Sequence, residues 1–392
     1  MNKKLLVLAL AGAFVAPAAM ADVTISGAVF MGPKFGTTTD GTAAGQANAV
    51  AASNGAAGRG ASSLHTAYSL MNINSTEDIG DGNKAIYNLQ LDLGGHTEGG
   101  SAVTIRNTSL GLAGGWGSFN MGVNEHIYER YMYLSDAIDV AAGPGSNLWI
   151  LGSPGYGVIF NNGAIGGGQA GFYRRTGNSM WYDSPDIGGF TFGIGQTLNA
   201  YSTGATKASV TSMGAQFKPA DMPFFVNVAF EKHKDMFGLS VISAGNGGTG
   251  SDDTAFQFGG GANFGNISLF ARFESLKYKS DGAAAVTQYK RDATLIGGRF
   301  NLDTGYIGAQ VAMAADGKIS CTAAVANCNA NDSGAVLMSL VYAHNLSKQT
   351  QLLVVGSMMN NDALASYASV GGAGGGVGSD SKVLGAYLKH SF

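Results

Sequence analysis

The sequence predicts an all-β protein: a 16-stranded antiparallel transmembrane β-barrel with short periplasmic turns and long extracellular loops. Three observations predict this fold. Apolar and polar residues alternate along many segments, the connections between these segments alternate in length, and the chain is rich in glycine but poor in charge. Of 392 residues, 61 are Gly and only 12% are charged, whereas soluble domains carry about 25% charged residues. This composition excludes disorder driven by charge, and a formal net charge of −3 leaves no basic surface for nucleic acid.

Residues 1–21 have the features of a secretory signal peptide. Lys3 and Lys4 precede an apolar run over residues 5–20, and Ala19 and Ala21 are small residues at the positions that a signal peptidase recognises. We therefore expect residues 22–392 to form a single outer-membrane β-barrel domain outside the cytoplasm.

The two cysteines, Cys321 and Cys328, lie close together in a polar segment, residues 316–333. A pair so closely spaced in an exported chain predicts a disulfide that closes a small loop. A metal site would need two more ligands, and this segment contains no His. We therefore expect a disulfide and no metal ion here.

Alternation with a period of two residues is the main structural signal. In the ninth segment, for example, Phe224, Val226 and Val228 share one face. Asn227 and Glu231 lie on the opposite face. Each segment has about ten residues, the length of a tilted strand that crosses a bilayer. The sixteen segments cover residues 22–31, 64–75, 83–93, 104–112, 116–123, 178–185, 188–199, 207–217, 223–233, 253–263, 266–279, 289–300, 304–315, 334–344, 349–359 and 382–392.

The connections between the segments alternate between short and long. The short ones are rich in the Gly, Asp, Asn and Pro residues that tight turns require. Bacterial outer-membrane barrels sort their connections in this way, with short turns at the periplasmic end and long loops outside. The short connections are residues 76–82, 113–115, 186–187, 218–222, 264–265, 301–303 and 345–348, and the long ones include 32–63, 124–177, 234–252, 316–333 and 360–381.

In a large membrane barrel, the apolar face of each strand contacts lipid and the polar face lines an aqueous lumen. Aromatic residues at segment ends suit the headgroup level of a bilayer, although each alone could be an ordinary core residue. The aromatic residues at these positions are Phe230, Phe264, Phe300, Tyr342 and Phe392.

Four stretches resemble the Gram-negative general porin family, in particular the porins of beta-proteobacteria and Neisseria. Residues 75–85, Ser-Thr-Glu-Asp-Ile-Gly-Asp-Gly-Asn-Lys-Ala, are similar to the strand and turn after the family's first hairpin. Residues 106–122, with Leu-Gly-Leu and Trp-Gly-Ser-Phe-Asn-Met-Gly, resemble the two strands before its third loop. Residues 175–190 are similar to the strand that leaves this loop, and residues 387–392 resemble the closing strand.

The resemblance implies a bacterial outer-membrane porin: a water-filled channel through which small hydrophilic solutes and ions diffuse passively. It also implies a homotrimer in which part of the outer wall is buried between protomers, with lipid and lipopolysaccharide around the rest. Outward glycines such as Gly260 and Gly356 would allow close packing at that interface. At the C-terminus, the resemblance implies that the membrane-insertion machinery recognises Phe392.

The resemblance places the third loop, residues 124–177, inside the barrel, although the loop lacks the Pro-Glu-Phe-Gly type of motif that the family usually carries there. A diffusion channel needs a narrowed, charged constriction, because fixed charges near a low-dielectric wall sort ions. Arg106 lies four residues before Leu110, so alternation places both on the lipid-facing side of the strand, and Arg106 could instead lie at the rim of the barrel. The candidates for the constriction are Glu125, Glu129, Asp136, Asp139, Arg106, Arg174, Arg175, Arg272 and Glu274.

The sequence favours no single ion selectivity. The acids of the third loop favour cations, whereas the family that the chain resembles includes members that prefer anions.

We expect no enzyme and no cofactor, because the six His residues are scattered and neither a Gly-x-Ser-x-Gly elbow nor a phosphate-binding loop is present. The alternatives to a general porin are a substrate-specific outer-membrane channel and a barrel that serves mainly as an adhesin or structural surface protein.

Overall fold

A computed structural model describes most of the chain after the predicted signal peptide. Residues 1–21 lie outside the described residues, so the predicted cleavage stays a prediction. The described residues are 22–39, 41, 60–66, 68–94, 103–140, 143–156, 171–198, 202–203, 206–236, 248–282, 286–322, 328–367 and 377–392.

Nearly all of the regular structure in these ranges is β-strand. The short helix α1 (Ile127–Met132) and two 3-10 turns (Tyr133–Ser135 and Asn147–Trp149) lie between β6 and β7. The strands are β1 (Asp22–Thr38), β2 (Gly60–Thr66), β3 (Leu70–Gly80), β4 (Asn83–Asp92), β5 (Thr104–Gly114), β6 (Gly117–Glu125), β7 (Arg175–Asp183), β8 (Phe190–Thr197), β9 (Ser202–Thr203), β10 (Thr206–Lys207), β11 (Ser209–Phe217), β12 (Phe224–Lys234), β13 (Gly248–Phe264), β14 (Ile267–Gly282), β15 (Val286–Leu302), β16 (Gly305–Ala314), β17 (Lys318–Cys321), β18 (Ala335–Asn345), β19 (Thr350–Asn361) and β20 (Ser381–Ser391).

The strands close into an antiparallel barrel. β1 pairs with β20 on one side and with β2 and β3 on the other, so β2 and β3 together act as one barrel strand. β17 extends the sheet beside the outer half of β15, and β9 and β10 form a separate hairpin. The remaining strands complete sixteen, which confirms the predicted fold. At the closure, the backbone N–H of Phe392 donates to the carbonyl oxygen of Gly27 at 3.0 Å, and the N–H of Gly27 donates back at 2.9 Å.

The first strand is longer than predicted. The prediction ended it at residue 31, but β1 continues through Gly32 and Pro33, residue types common in turns, to Thr38. In this outer half, Lys34 is buried on the inner face while Phe35 is 55% exposed on the outer face, so the alternation persists through the turn-like residues. Pairing with β2 and β20 on both sides supplies the hydrogen bonds that override the local turn preference.

The outer surface of the barrel is apolar. Along β13, Phe256 and Phe258 are exposed, and between them Gln257 is completely buried on the inner face. Most of the predicted terminal aromatic residues are also exposed, including Phe264 and Phe300. Continuous exposure of large apolar side chains is unfavourable in water, so this surface is suited to contact with lipid.

The short turns follow their sequence signals. Asp81 and Gly82 link β3 to β4 with φ angles of +52° and +73°, as a two-residue hairpin of the Asp-Gly type requires. Among the described residues, no helix is long and apolar enough to cross a membrane.

Candidate channel constriction

The third loop, predicted over residues 124–177, spans residues 126–174 between β6 and β7, and its described parts pack against the inside of the barrel. Tyr128, Ile150 and Phe172 of the loop are completely buried. They belong to one apolar cluster with inward side chains of the wall, among them Leu276 on β14 and Leu295 on β15. The inner face therefore includes apolar side chains where the loop covers it, and this explains why some inward positions there do not follow the simple polar pattern.

The first turn of the loop is fixed by polar contacts with neighbouring strands. The Nε2 atom of His126 lies 2.7 Å from Oγ1 of Thr176, and its Nδ1 atom lies 3.2 Å from the buried carboxylate of Glu231 on β12. The backbone N–H of Tyr128 donates to Oγ of Ser212 on β11 at 3.0 Å. These contacts direct α1 into the lumen beside β11 and β12.

Glu274, a predicted constriction residue, holds the middle of the loop. Its carboxylate accepts hydrogen bonds from the backbone N–H of Gly152 at 2.8 and 2.9 Å and from the hydroxyl of Tyr128 at 2.8 Å. It also forms an ion pair of 2.8 Å with Arg291 on β15, and both side chains are fully buried. A buried ion pair is stable only when its hydrogen-bonding groups are satisfied, and this one is satisfied largely by the loop.

Arg272 contacts the loop in the same way. Its guanidinium donates to Oγ of Ser135 in the loop at 2.9 Å, to Asn227 on β12 at 3.0 Å and to Gln257 on β13 at 2.6 Å. Only 3% of Arg272 is exposed. The sequence interpretation named Arg272 as a candidate for the constriction, and the structure places it beneath the loop, where its guanidinium is hydrogen-bonded to Ser135.

Three further anchors were missed in the sequence. Arg291 donates to the carbonyl oxygens of Ile150 at 2.7 Å and Ser153 at 3.0 Å. Arg299 on β15 donates to the carbonyl oxygens of Ala137 at 2.7 Å and Asp136 at 2.6 Å. Gln310 on β16 accepts from the N–H of Ala137 at 3.0 Å and donates to the carbonyl oxygen of Gly145 at 2.8 Å. Alternation along the strand was the available signal. Arg291 and Arg299 lie at odd-numbered positions of β15, whereas the outward Ile296 and Phe300 lie at even-numbered positions.

Glu125 and Glu129 meet Arg106 and Arg175 where the loop leaves β6 and returns to β7. The guanidinium of Arg175 contacts both carboxylates, and its distance to the Glu129 carboxylate is 2.9 Å. The guanidinium of Arg106 lies 3.7 Å from the Glu125 carboxylate. Arg106 also lies 3.5 Å from Asp92. Burial raises the pKa of the Glu129 carboxyl well above its usual range, and the Glu125 charge adds to the rise while Arg175 opposes it. Four of the predicted residues are thus brought together in one ion-pair network.

The position of Arg106 does not follow from the alternation that groups it with Leu110. The pairing of β4 with β5 shifts register between Leu89 and Leu91, so the alternation that places Leu110 outward does not extend to residue 106. Arg106 is held by Asp92, Glu125 and the ring of Tyr68, whose centroid lies 4.5 Å from the guanidinium carbon.

The other loop acids differ in exposure. Asp136 is 7% exposed, and its Oδ1 atom accepts from the N–H of Ile138 at 3.0 Å. Burial raises the pKa of Asp136 to about 6. Asp139, two residues beyond Ala137, is exposed, and its φ is +57°. Arg174 is buried, and its carbonyl oxygen accepts from the N–H of His126 at 3.3 Å.

The predicted disulfide between Cys321 and Cys328 is present, with a Cα–Cα distance of 6.0 Å. It closes the connection between β17 and β18, next to Asn329, whose carbonyl oxygen accepts from the hydroxyl of Tyr156 in the third loop at 2.6 Å. No group of His, Cys, Asp or Glu side chains in the described ranges is arranged to hold a metal ion.

The sequence matches the family described as Gram-negative porin over residues 7–364. Outer membrane porin protein 32 of Delftia acidovorans is 27% identical over 354 residues, which cover 90% of this chain and 88% of that protein. Chitoporin of Vibrio furnissii is 30% identical over 119 residues, 30% of this chain and 27% of that protein.

Solved structures show the same fold. The anion-selective porin from Comamonas acidovorans aligns with a TM-score of 0.70 and 20% identity, covering 95% of this chain and 100% of that one. The trimer form of OmpT of Vibrio cholerae aligns with a TM-score of 0.61 and 10% identity, covering 95% and 99% of the two chains.

Proposed function

The chain belongs to the Gram-negative porin family and is an outer-membrane channel protein, and from this premise we propose that it is a passive diffusion pore whose narrowest part is formed by the third loop. The observation that carries the proposal is the attachment of this loop inside the barrel through Arg272, Glu274, Arg291 and Gln310. A loop held across the lumen narrows the water path without closing it, so small hydrophilic solutes and ions pass and larger ones are excluded.

The charges of the constriction belong to two classes. Glu125, Glu129, Arg106 and Arg175 largely neutralise one another. Asp139 is the exposed acid among the four that the sequence indicated. A fixed negative charge next to a low-dielectric wall attracts cations, so a modest cation preference is the selectivity that this arrangement supports.

Single-channel recording tests the channel. Mature protein purified in detergent is added to a planar lipid bilayer, and discrete conductance steps are expected in potassium chloride. A barrel that serves only as an adhesin or structural surface protein gives no steps, and that result would contradict the proposal. The reversal potential in a salt gradient then measures the sign of the selectivity.

A homotrimer is the proposed assembly. The related structure of OmpT includes a trimer form, and the outer wall of this barrel has apolar surface that a neighbouring protomer could bury. Of the two glycines suggested for that contact, Gly356 is suitable, because a side chain there would meet open space. At Gly260 an added Cβ would lie 2.4 Å from the carbonyl oxygen of Phe225, so its lack of a side chain already serves the packing within the sheet. Light scattering of the detergent-solubilised protein measures the assembly, and a monomer would contradict it.

Cleavage of the signal peptide after Ala21 is the expected maturation step. N-terminal sequencing of protein isolated from outer membranes should begin at Asp22. A sequence that begins at Met1 would contradict the export route through a cleaved signal.

A further inference from the structure

The inner wall of β1, β3, β4 and β5 carries a continuous group of uncharged polar side chains, which we call the amide patch: Ser26, Asn72, Asn74, Asn88, Gln90 and Ser109. The strand register places Ser26 beside Asn72 and Asn72 beside Gln90. The neighbouring row runs from Asn74 to Asn88 and on to Ser109. All six side chains are half-buried or exposed, and their strand neighbours Ile25, Tyr87 and Leu110 point outward.

The amides of the patch are oriented by hydrogen bonds to each other. Nδ2 of Asn88 donates to Oδ1 of Asn74 at 2.6 Å, and Nε2 of Gln90 donates to Oδ1 of Asn72 at 2.9 Å. Each amide has more donor and acceptor sites than one such bond uses. Oε1 of Gln90 is buried and has no hydrogen-bond partner among the described residues. The patch therefore offers fixed donors and acceptors side by side.

Opposite charges enclose the patch at both ends. At the outer end, Asp92 pairs with Arg106 at 3.5 Å. At the periplasmic end, Asp78 lies opposite Lys84 in the strand register. Between these pairs, the inward positions of β3, β4 and β5 are uncharged. An ion that passes this wall gains little from it, whereas a neutral solute exchanges hydrogen bonds with water for hydrogen bonds with the amides.

We propose that the amide patch is a binding site for the hydroxyl groups of uncharged, polyhydroxylated solutes such as monosaccharides. A sugar hydroxyl both donates and accepts, and Asn and Gln side chains present both functions at fixed positions. Asn72 and Asn74 are two residues apart on one strand, about 6.8 Å, a spacing on the scale of one pyranose ring. This proposal rests on the channel function proposed above and names the solute class that the channel favours.

The test uses three solutes of similar size and different charge: glucose, gluconate and glucosamine. Their uptake into proteoliposomes is measured with radiolabelled solute at low concentration, where flux is proportional to occupancy of a weak site. In the unaltered protein, glucose is expected to enter fastest. Replacing Asn74→Leu together with Asn88→Leu keeps the branching and the number of non-hydrogen side-chain atoms, removes the amide groups, and is expected to lower glucose uptake about two- to tenfold. The uptake of gluconate and glucosamine is expected to change little.

Gln216→Leu is the matched control, because Gln216 is an inward, half-buried amide on β11 outside the patch. A second variant, Asn88→Asp, adds a charge to the patch and is expected to favour glucosamine over glucose. An equal loss for all three solutes, or unchanged glucose uptake in the double variant, would overturn the binding site while leaving the channel in place. Absence of conductance in the unaltered protein would instead overturn the channel itself, so the two failures are distinguishable.

Discussion

The two halves of the inner wall use polar side chains in opposite ways. On β14 and β15, beneath the third loop, the charged residues Arg272, Glu274 and Arg291 are buried and hydrogen-bonded to the loop. On β3 and β4, across the barrel, the amide patch is uncharged and accessible. A buried charge requires partners, and a loop supplies many backbone donors and acceptors. Inward charge on a strand of this barrel therefore indicates attachment of the loop at least as much as it indicates an ion filter.

The largest effect is expected when the ion pair beneath the loop is broken. Glu274→Ala leaves Arg291 buried without its carboxylate and removes the acceptor for Gly152 and Tyr128. Loss of one partner of a buried ion pair costs about 3–5 kcal/mol. We expect the loop to detach while the barrel persists, so single-channel conductance and current noise should increase.

Glu274→Gln is the control for this variant, because it keeps the shape and the acceptor oxygen but loses the charge. It should fall between the unaltered protein and Glu274→Ala in current noise. Circular dichroism should show the same strand content in all three proteins. Conductance that is unchanged in Glu274→Ala would mean that the inner faces of β14 and β15 do not position the loop.

A smaller effect is expected from the protonation of Asp136. Its pKa is raised to about 6 by burial, so the folded protein holds a proton that the unfolded chain has released above pH 4. Stability therefore falls as pH rises from about 4 to about 6 and is constant above that range, with a total loss of about 2–3 kcal/mol. Asp136→Asn should remove this dependence and raise the thermal unfolding temperature in detergent at pH 7.

The reference for the Asp136 prediction is Asp303→Asn, which replaces an exposed acid in the turn between β15 and β16. This change should leave the pH dependence of the unfolding temperature intact. If the unfolding temperature depends on pH in the same way in the unaltered protein and in Asp136→Asn, then Asp136 is hydrated in the folded state and water enters between the loop and the barrel wall.

A direct comparison of the two walls comes from removing one amide on each side. Gln310→Ala leaves the N–H of Ala137 and the carbonyl oxygen of Gly145 without their partner in a buried place, at a cost of about 1–3 kcal/mol. Asn88→Ala removes a half-buried amide whose partner Asn74 is accessible to water, so the cost should stay below that range. Thermal unfolding of the two variants measures the difference, and equal destabilisation would contradict the distinction between the walls.

The sequence was sufficient to predict the barrel because alternation is a local property. Sixteen segments, the short turns and the disulfide between Cys321 and Cys328 each leave a signal within a few neighbouring residues. The predicted end of the first strand was wrong, because Gly32 and Pro33 are typical of turns and the pairing of β1 with β2 and β20 is not local.

The candidate site was predictable in composition but not in arrangement. Of the four predicted acids, Glu125 and Glu129 are brought together with the predicted Arg106 and Arg175, whereas Asp136 and Asp139 are not part of this network. In contrast, the partners of Arg272 and the anchoring roles of Arg291 and Arg299 depend on the path of the third loop across strands more than a hundred residues away in sequence. Alternation shows that a side chain points inward, but it does not show whether the loop or water covers it.

The smallest effect is expected on ion selectivity. Asp139→Asn removes the exposed charge of the loop, so the permeability ratio of potassium to chloride should fall by less than about fivefold, since an exposed charge contributes about 1 kcal/mol or less. The reversal potential in a potassium chloride gradient measures this ratio. Asp81→Asn serves as the control, because it removes an exposed acid from the turn between β3 and β4, across the barrel from β15 and β16, which hold residues 136–138 of the loop. Equal reversal potentials for Asp139→Asn and the unaltered protein would mean that ions do not pass close to Asp139, and would contradict the proposed origin of the selectivity.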